Sequence, residues 1–257
     1  MQTNFDGPVV TAAARQLYLD LLIKTLANTI YQDPSIHPQN EGPFKPELRA
    51  EGRDWPAIAH TMVGLRRLEN VRDLAQRALD EEIPGDFIEA GVWRGGCCIL
   101  MRGVLAANGV TDRKVYGADT FAGLPPPDPQ TYPQDDSWNF HHHKQLAVSL
   151  DQVKSNFARY GLLDDQVIFV EGSFRDTLPS LEAGPFALIR LDGDWYESTY
   201  VALAALYPKL SPGGFVIIDD FHLIPPCRQA VLDYRAKHKI TAAMHDVDWN
   251  ASWWQKE

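Results

Sequence analysis

The sequence predicts an α/β fold in which a mostly parallel sheet carries helices on both faces. After Gly85 the chain changes to short apolar segments that alternate with helical patterns, which is typical of parallel strands joined by helices. The first of these segments runs into a turn at 89–96 that is rich in glycine and opens a helix. Two later segments end in acidic residues, at 192–194 and 219–220. Open α/β sheets place their reactive groups at such strand ends.

Each element of this fold can be assigned in order. Strands are expected at 86–89, 114–118, 167–171, 187–191 and 215–218. Helices are expected at 96–107, 149–160, 196–206 and 227–237. The segment 244–254 is expected to add edge strands, one of them antiparallel. The sheet would then consist of parallel strands with one exception near its edge.

The residues before Gly85 show no strand pattern. Apolar residues recur at helical spacing from Leu19 to Ile30 and from Ile58 to Leu79, which predicts two amphipathic helices. Between them, 32–55 is rich in proline and glycine and is expected to be an irregular loop, as is 121–144. Long loops of this kind commonly act as lids. We therefore expect N-terminal helices with a lid loop at 1–84 and the main domain at 85–257.

Composition and charge restrict the possible partners and the location. The chain has 257 residues and a formal net charge of -10, which argues against nucleic acid or an anionic membrane as a partner. The first eight residues form no secretory signal, and 17–30 is too short and polar to cross a bilayer. Three cysteines, two of them adjacent, argue against a disulfide scaffold. A reducing cytoplasm is the expected location.

The acidic strand ends suit a metal ion. Asp192 and Asp194 follow one predicted strand, and Asp219 and Asp220 follow another. Carboxylate oxygens are the ligands of hard cations such as Mg²⁺, which keep coordination sites open for a substrate. The alternative is that these acids cap helices or lie solvated at strand ends. Asp194 in particular forms a capping box with Glu197 in the sequence pattern.

The glycine-rich turn after the first strand is a candidate cofactor site. Gly91 and Gly95 would let a cofactor approach the backbone. Asp119 ends the second predicted strand, where a carboxylate can accept the hydroxyls of a ribose. A tight strand–helix junction and a helix cap are the alternative roles of these positions. The pattern GxGxxG is absent from the turn, so NAD is weakly indicated.

Together with 210–220, this turn resembles class I S-adenosylmethionine-dependent methyltransferases, from about Gly85 to the C-terminus. The resemblance implies a Rossmann-like, seven-stranded sheet. It also implies that the Glu89 turn holds the methionine part of the cofactor and Asp119 the ribose. Gly172 and Ser173 would line the adenine pocket.

The acidic residues narrow this resemblance. Their spacing is similar to that of metal-dependent catechol and caffeoyl-CoA O-methyltransferases, which normally carry Asn as the last ligand and Lys three residues after the first. Here these positions hold Asp220 and Trp195. The missing lysine makes a phenolic acceptor the alternative rather than the first choice. An NAD-dependent sugar oxidoreductase and a catalytically silent cofactor-binding subunit are weaker alternatives.

A closer resemblance, spanning nearly the whole chain, is to the macrocin O-methyltransferase family, which methylates sugar hydroxyls of macrolide and aminocoumarin antibiotics. It is carried by phrases such as Gly-Val-Trp-Arg-Gly-Gly at 91–96 and Ser-Pro-Gly-Gly-Phe-Val-Ile-Ile-Asp-Asp at 211–220. It implies that S-adenosylmethionine is the methyl donor. It further implies that Asp192, Asp219 and Asp220 bind Mg²⁺ beside two neighbouring sugar hydroxyls, with Asp194 as general base.

The remaining candidates carry weaker signals. Thr61 and Met62 would contact the cofactor from the N-terminal helices, although Met62 also fits a plain core position. His141, His222 and Trp195 are candidate contacts to a glycoside substrate, and a solvated loop is the alternative for the histidines at 141–143. Self-association through the N-terminal helices into a homo-oligomer is also expected.

Overall fold

A computed structural model describes residues 11–136 and 138–257. The strands are β1 (Asp86–Ala90), β2 (Val115–Asp119), β3 (Val167–Glu171), β4 (Phe186–Leu191), β5 (Leu210–Ile218), β6 (His245–Asp246) and β7 (Ser252–Gln255). The α-helices are α1 (Ala12–Leu26), α2 (Pro46–Glu51), α3 (Leu65–Asp80), α4 (Gly96–Ala107), α5 (Leu150–Arg159), α6 (Phe174–Thr177), α7 (Tyr196–Leu206) and α8 (Pro225–Lys237). The first eight residues, where a signal segment was not expected, lie outside this part of the chain.

All seven strands form one sheet in the order β3-β2-β1-β4-β5-β7-β6. Strands β1 to β5 pair in parallel, and β7 is antiparallel to both of its neighbours, β5 and β6. Strand β7 therefore runs against the other six and lies next to the edge strand β6, which confirms the predicted sheet with one reversed strand near its edge. The strand order reverses between β1 and β4, the place where open α/β sheets bind ligands.

Alternate strand residues divide the core between the two faces of the sheet, as the two-residue period of a strand requires. Phe87 and Phe215 belong to a cluster with residues of α1, α3, α4 and α5. Ile88 and Val216 belong to a second cluster with residues of α7 and α8. The helices on both faces bury the strands, as is typical of parallel sheets.

Several predicted boundaries near the N-terminus were wrong. Helix α1 ends at Leu26, because Asn28 takes a positive φ of 51°, and Ile30 is 43% exposed. The next long helix, α3, begins only after Gly64, so that Ile58 is 65% exposed instead of lying on an apolar helix face. The loop 32–55 also contains the short helix α2.

Strand β5 likewise begins earlier than predicted. The strand was expected to begin at 215, but the residues 211–214 also belong to it. Leu210 pairs with Phe186, and the register shifts before Leu188 pairs with Phe215. No described helix has the length and apolar character needed to cross a bilayer.

A buried ion-pair network holds the loop 32–55 against the end of α1. The Arg49 guanidinium is fully buried. Its Nη1 donates hydrogen bonds to Asp33 Oδ1 at 2.8 Å and to the Ala27 carbonyl at 2.9 Å, and its Nε donates to Asp54 Oδ1 at 2.9 Å. Buried charges need partners of this kind. The network therefore gives a proline-rich loop a fixed place above the sheet.

Candidate active site

Three carboxylates meet at the carboxyl ends of β4 and β5. Asp192 follows β4, whereas Asp219 and Asp220 follow β5, and the pairing of Leu191 with Ile218 brings these ends side by side. One oxygen from each carboxylate lies within 4.8 Å of the other two. This spacing allows all three groups to bind one cation.

Asp220 provides a direct test of whether a cation fits. Its Oδ1 accepts a hydrogen bond from Asn250 Nδ2 at 3.3 Å, whereas its Oδ2 is buried and has no partner among residues 11–136 and 138–257. Burial, followed by the charges of Asp194 and Asp192, raises the pKa of Asp220 well above its usual value. A buried oxygen without a partner is costly. A divalent cation would supply that partner, so these residues fit Mg²⁺.

Two buried arginines hold Asp219, and sequence reasoning missed both. Arg190 Nη1 donates to Glu89 Oε1 at 2.5 Å and to Asp192 Oδ2 at 2.8 Å, and its Nη2 donates to Asp219. Arg67 Nη1 donates to Asp219 Oδ2 at 2.6 Å. Burial alone would raise the pKa of Asp219, but the charges of Arg190 and Arg67 outweigh it and lower that pKa. Asp219 is therefore an ionised carboxylate beside the protonation-prone Asp220.

One of these arginines left a signal in the sequence. Arg190 is the charged residue inside the otherwise apolar strand β4, and a charge in a buried strand is rarely tolerated unless it is paired. Arg67 left none, because it lies in an Arg-Arg pair on a helix, where charges are usually exposed. Its position depends on how α3 packs against the sheet.

Asp194 lies beside the carboxylates in an unusual backbone conformation. The Trp195 N–H donates to the Gly193 carbonyl at 2.7 Å, and Asp194 between them has a φ of 61°. This is a classic γ-turn, which is rare and strained for a residue other than glycine. Burial, followed by the charges of Asp192 and Asp219, raises the pKa of Asp194 to about 8. A carboxylate that takes up a proton this readily has the property of a general base.

A different residue caps the helix that follows. The capping box of Asp194 and Glu197 does not form, because the N-cap position of α7 is Trp195, which makes no side-chain cap hydrogen bond. Instead, Asp135 from the loop 121–144 accepts hydrogen bonds from the backbone N–H groups of Tyr196 at 2.6 Å and Glu197 at 3.0 Å. Asp135, rather than Asp194, therefore caps α7.

A cavity of about 570 Å³ lies above the three carboxylates, which is within the usual range for small-molecule sites. It is lined by these carboxylates and by other predicted site residues, namely Met62, Gly91, Asp119, Ser173, Asp194 and Trp195. A connected set of residues surrounds a small void of about 20 Å³, namely Thr61, Met62, Glu89, Arg190 and Asp192. The strand ends and the N-terminal segment therefore meet at one place.

Gly91 and Asp119 also have structural roles at the edge of this cavity. A Cβ on Gly91 would lie 1.8 Å from the Asp192 carbonyl oxygen, and the φ of Gly91 is 97°. Glycine is therefore required here for backbone packing against the end of β4. The Asp119 carboxylate accepts hydrogen bonds from the N–H groups of Val92 at 2.7 Å and Phe121 at 2.9 Å, which fixes the glycine-rich turn.

Six predicted site residues do not line the large cavity: Glu89 and Thr61 border only the small void, and the other four lie elsewhere. Gly95 is the N-cap of α4 with a φ of 92°, and Gly172 has a φ of 140° after β3. The His141 ring packs against the ring of His142. His222 Nε2 lies 2.9 Å from Asp246 Oδ1, near the edge of the sheet.

Aromatic rings from the two loops close the cavity. The ring of Trp55 in the loop 32–55 contacts that of His143 in the loop 121–144, with 5.2 Å between centroids. Phe140 of the second loop stacks on Trp195, with 5.7 Å between centroids and 13° between planes. The loops in which an acceptor was expected to bind therefore form the outer wall of the same cavity.

Comparison with known proteins shows close relatives over almost the whole length. A profile of the macrocin O-methyltransferase family (TylF) matches residues 34–256. The demethyldecarbamoylnovobiocin O-methyltransferase of Streptomyces niveus is 47% identical over 99% of this chain and 96% of its own. The 8-demethyl-8-(2,3-dimethoxy-alpha-L-rhamnosyl)-tetracenomycin-C 4'-O-methyltransferase of Streptomyces olivaceus is 50% identical over 96% of this chain and 95% of its own. The structure of the O-methyltransferase NovP superimposes with a TM-score of 0.90 at 48% identity, over 94% of this chain and 99% of NovP.

Proposed function

Because the chain belongs to the macrocin O-methyltransferase family, we propose that this O-methyltransferase acts on a sugar hydroxyl of a glycosylated natural product. Its methyl donor is S-adenosylmethionine, which activity of this class implies. The curated relatives are named for methylation of novobiocin and tetracenomycin intermediates. The observation that carries the proposal is the carboxylate cluster with an unpartnered Asp220 oxygen at the floor of a cavity walled by aromatic rings.

Asp192, Asp219 and Asp220 would hold Mg²⁺, which leaves coordination sites for the acceptor. When bound, the cation makes a hydroxyl more acidic, as metal ions can lower the pKa of bound water from 15.7 to about 7. Arg190 and Arg67 keep Asp219 ionised and oriented for this role. The fixed strand ends thus present the ligands without rearrangement.

Asp194 would accept the proton of the acceptor hydroxyl. The bond from sulfur to the methyl carbon then breaks as the bond from oxygen to that carbon forms, which leaves S-adenosylhomocysteine and the methyl ether. This transfer needs the three atoms in line, and positioning of that kind can supply about 7–11 kcal/mol of the barrier. The γ-turn fixes the Asp194 carboxylate beside the cluster, which suits this task.

The cofactor would occupy the side of the cavity near β1, β2 and β3. Gly91 and Asp119 line it at the turn and at the ribose position, and Ser173 lines it near the adenine position. Glu89 and Thr61 border the small void, which suits the methionine end. Gly95 and Gly172 would act through the backbone conformation of their turns.

The charges of the lining residues favour a neutral glycoside over a nucleotide sugar. Arg67 and Arg175 are the arginines among the residues that line the cavity. Arg67 is paired with Asp219 and Asp248, and Arg175 is paired with Glu197. A diphosphate group would have to compete with these carboxylates for its counterions.

The N-terminal segment, through its loop 32–55, would act as a lid over the acceptor, whereas α1 and α3 pack in the core. Its closed position is supported by Trp249 Nε1, which donates to the Glu51 carbonyl at 2.8 Å, and by Arg94 Nη1, which donates to the Ala59 carbonyl at 2.8 Å. A lid of this kind excludes water around the reacting hydroxyl. His141 and His222 do not line the closed cavity and would contact the acceptor only after loop movement.

Two further features support a cytoplasmic location and self-association of the enzyme. Cys97, Cys98 and Cys227 are buried free thiols, which suits a reducing cytoplasm. Leu17 and Leu21 are 72% and 54% exposed on one side of α1, which suits contact with a second copy of the chain. Sedimentation velocity of the wild type and of Leu21→Lys tests this homo-oligomer.

The proposed reaction is tested by incubating the protein with S-adenosylmethionine and candidate acceptors, with Mg²⁺ or with chelator. The acceptors are macrolide and aminocoumarin glycosides, a nucleotide sugar and catechols, and mass spectrometry detects one added methyl. Methylation of a glycoside that chelator abolishes is the expected result. Methylation of catechols alone would favour the phenolic alternative, and a rise in melting temperature with NAD instead of S-adenosylmethionine would favour an oxidoreductase.

A further inference from the structure

The geometry points to Asp135 as a positioning residue for Asp194, a role that rests on the proposed function. Asp135 lies in the loop 121–144, whereas Asp194 lies at the end of β4, so the two are distant in sequence. Asp135 is 1% exposed, and both of its carboxylate oxygens accept backbone hydrogen bonds from the first turn of α7. Asp135 itself does not touch the reacting atoms.

The γ-turn at Asp194 needs support from its neighbours. A non-glycine residue at a φ of 61° is strained, and such conformations persist only where the surrounding structure fixes them. On the N-terminal side, the Asp192 N–H donates to the Ala90 carbonyl at 2.8 Å, which ties the turn to β1. On the C-terminal side, Ser198 Oγ of α7 donates to the Gly193 carbonyl at 2.5 Å. Because Trp195 supplies no side-chain cap, the first N–H groups of α7 need an acceptor from outside this helix.

The loop 121–144 supplies this support at several points. Asp135 fixes the backbone of Tyr196 and Glu197. Trp195 Nε1 donates to the Pro125 carbonyl at 3.3 Å, and the Trp195 ring stacks on Phe140. The loop therefore holds the three residues after Asp194: Trp195 by its side chain, and Tyr196 and Glu197 by their backbone N–H groups.

In this arrangement, the residue that caps α7 is not the residue at its N-cap position. A conventional N-cap residue, such as serine or aspartate, would satisfy the helix N-terminus locally. Here Trp195 occupies that position and its ring lines the cavity, while Asp194 lies beside the metal-ligand cluster. The cap comes from Asp135, so the loop that walls the acceptor also holds the proposed base in place.

The test compares Asp135→Ala and Asp135→Asn with Asp136→Ala, a change at the exposed neighbour of Asp135. Two quantities are measured on the full chain: amide hydrogen exchange of a peptide covering 195–200, and kcat and KM on a glycoside that the wild type methylates. Asp135→Ala is expected to lose protection at 195–200 and to lower kcat about 10- to 100-fold, because small misplacements of reacting groups have effects of this size.

The remaining expectations separate positioning from a general structural role. Asp135→Asn retains one acceptor oxygen and should restore part of kcat, and S-adenosylmethionine should bind all variants within about twofold of the wild type. Asp136→Ala should match the wild type in exchange and in kcat. If Asp135→Ala does not fold, Asp135→Asn decides, since it must then show both partial loss of protection and reduced kcat.

Three results would overturn the inference. The first is unchanged protection at 195–200 in both Asp135 variants, which would mean that the carboxylate does not hold the turn. The second is lost protection with wild-type kcat, which would mean that the turn does not need it. The third is a fall in kcat that only follows the fraction of folded protein. A wild type that methylates no glycoside would instead contradict the proposed function, and the exchange measurement would still report on the contact itself.

Discussion

The floor and the roof of the cavity are built by different means. We define the floor as Asp192, Asp219 and Asp220 at the strand ends, and the roof as the loops 32–55 and 121–144. The floor is held by buried guanidinium groups and by a sheet with helices on both faces. The roof is held mainly by aromatic contacts and by the Asp135 cap, and the Arg49 ion pairs anchor its loop 32–55 to the end of α1. Parts with few buried contacts open more readily than a sheet core.

The difference between floor and roof suggests that the floor serves the reaction and the roof serves recognition of the acceptor. A metal ligand must be fixed to a fraction of an ångström, and strand ends supply that precision because their backbone is fully paired. An acceptor varies in shape between relatives, and loops can change without disturbing the sheet. Changes in the floor should therefore alter turnover or folding. Changes in the roof should alter acceptor affinity, except at Asp135, which acts on turnover through the position of Asp194.

The largest expected effect is on turnover in Asp220→Ala. Alanine offers no ligand oxygen, so we expect kcat/KM to fall by about 10³- to 10⁴-fold, or about 4–5.5 kcal/mol. With chelator present, the melting temperature should rise, because the substitution removes a buried carboxyl group whose ionisation burial and the neighbouring acids disfavour. Asp128→Ala is the control at another acid of the cavity lining. Normal turnover of Asp220→Ala would contradict its place in the metal site.

The next effect is on folding in Arg190→Met. Loss of the guanidinium leaves the buried Glu89 and Asp219 and the partly exposed Asp192 near one another without their shared counterion. We expect the free energy of unfolding to fall by about 3–5 kcal/mol, measured by urea denaturation. Arg72→Met removes two ion pairs with the exposed Asp20 and Asp73 and should cost less than about 1 kcal/mol. Equal losses of unfolding free energy in the two variants would mean that the buried ion pairs of Arg190 stabilise the fold no more than surface ion pairs do.

A smaller effect is expected in the roof. Phe140→Ala removes the ring that stacks on Trp195. We expect KM for the acceptor to rise about tenfold, or about 1.4 kcal/mol, with a melting temperature close to that of the wild type. Phe44→Ala, in a half-buried ring of the other loop that does not line the cavity, should leave KM unchanged. A fall in kcat without a rise in KM would contradict this, because it would mean that Phe140 affects turnover, as the floor residues do.

The smallest effect concerns His60, which joins the N-terminal segment to the end of α5. Its Nδ1 lies 2.8 Å from the Tyr160 hydroxyl oxygen. Burial, followed by the charges of Arg159 and Arg94 and opposed by Asp33, lowers the pKa of His60 from 6.5 to about 4. The folded state therefore favours the neutral ring, and its contribution to stability is present above pH 6.5 and is lost as the pH falls towards 4.

Replacement of His60 should make the free energy of unfolding depend less steeply on pH. After allowance for solvent screening of a half-buried ring, His60→Gln should abolish about 1–2 kcal/mol of the loss in unfolding free energy between pH 6.5 and 4. Urea denaturation at several pH values measures it, with the exposed His142→Gln as control. An unchanged slope in His60→Gln would show that other groups cause the pH dependence.

Much of the fold could be predicted because it depends on local patterns. Alternation of apolar segments with helices predicted the five parallel strands, and the acids after β4 and β5 predicted a cluster at their ends. The predicted helix boundaries were wrong where the backbone at a single residue interrupts the apolar pattern. Asn28 ends α1 before Ile30, and Gly64 delays α3 until Leu65.

The sequence by itself determined which residues end the strands, since period and composition act over a few neighbouring positions. Only the tertiary structure decided what surrounds them. Arg67 reaches Asp219 across 152 positions, and Asp135 caps a helix that begins 61 positions later. Such contacts depend on where a helix or loop packs, which no local pattern specifies. The acidic cluster is therefore a property of the sequence, and the charges and turns that tune it are properties of the fold.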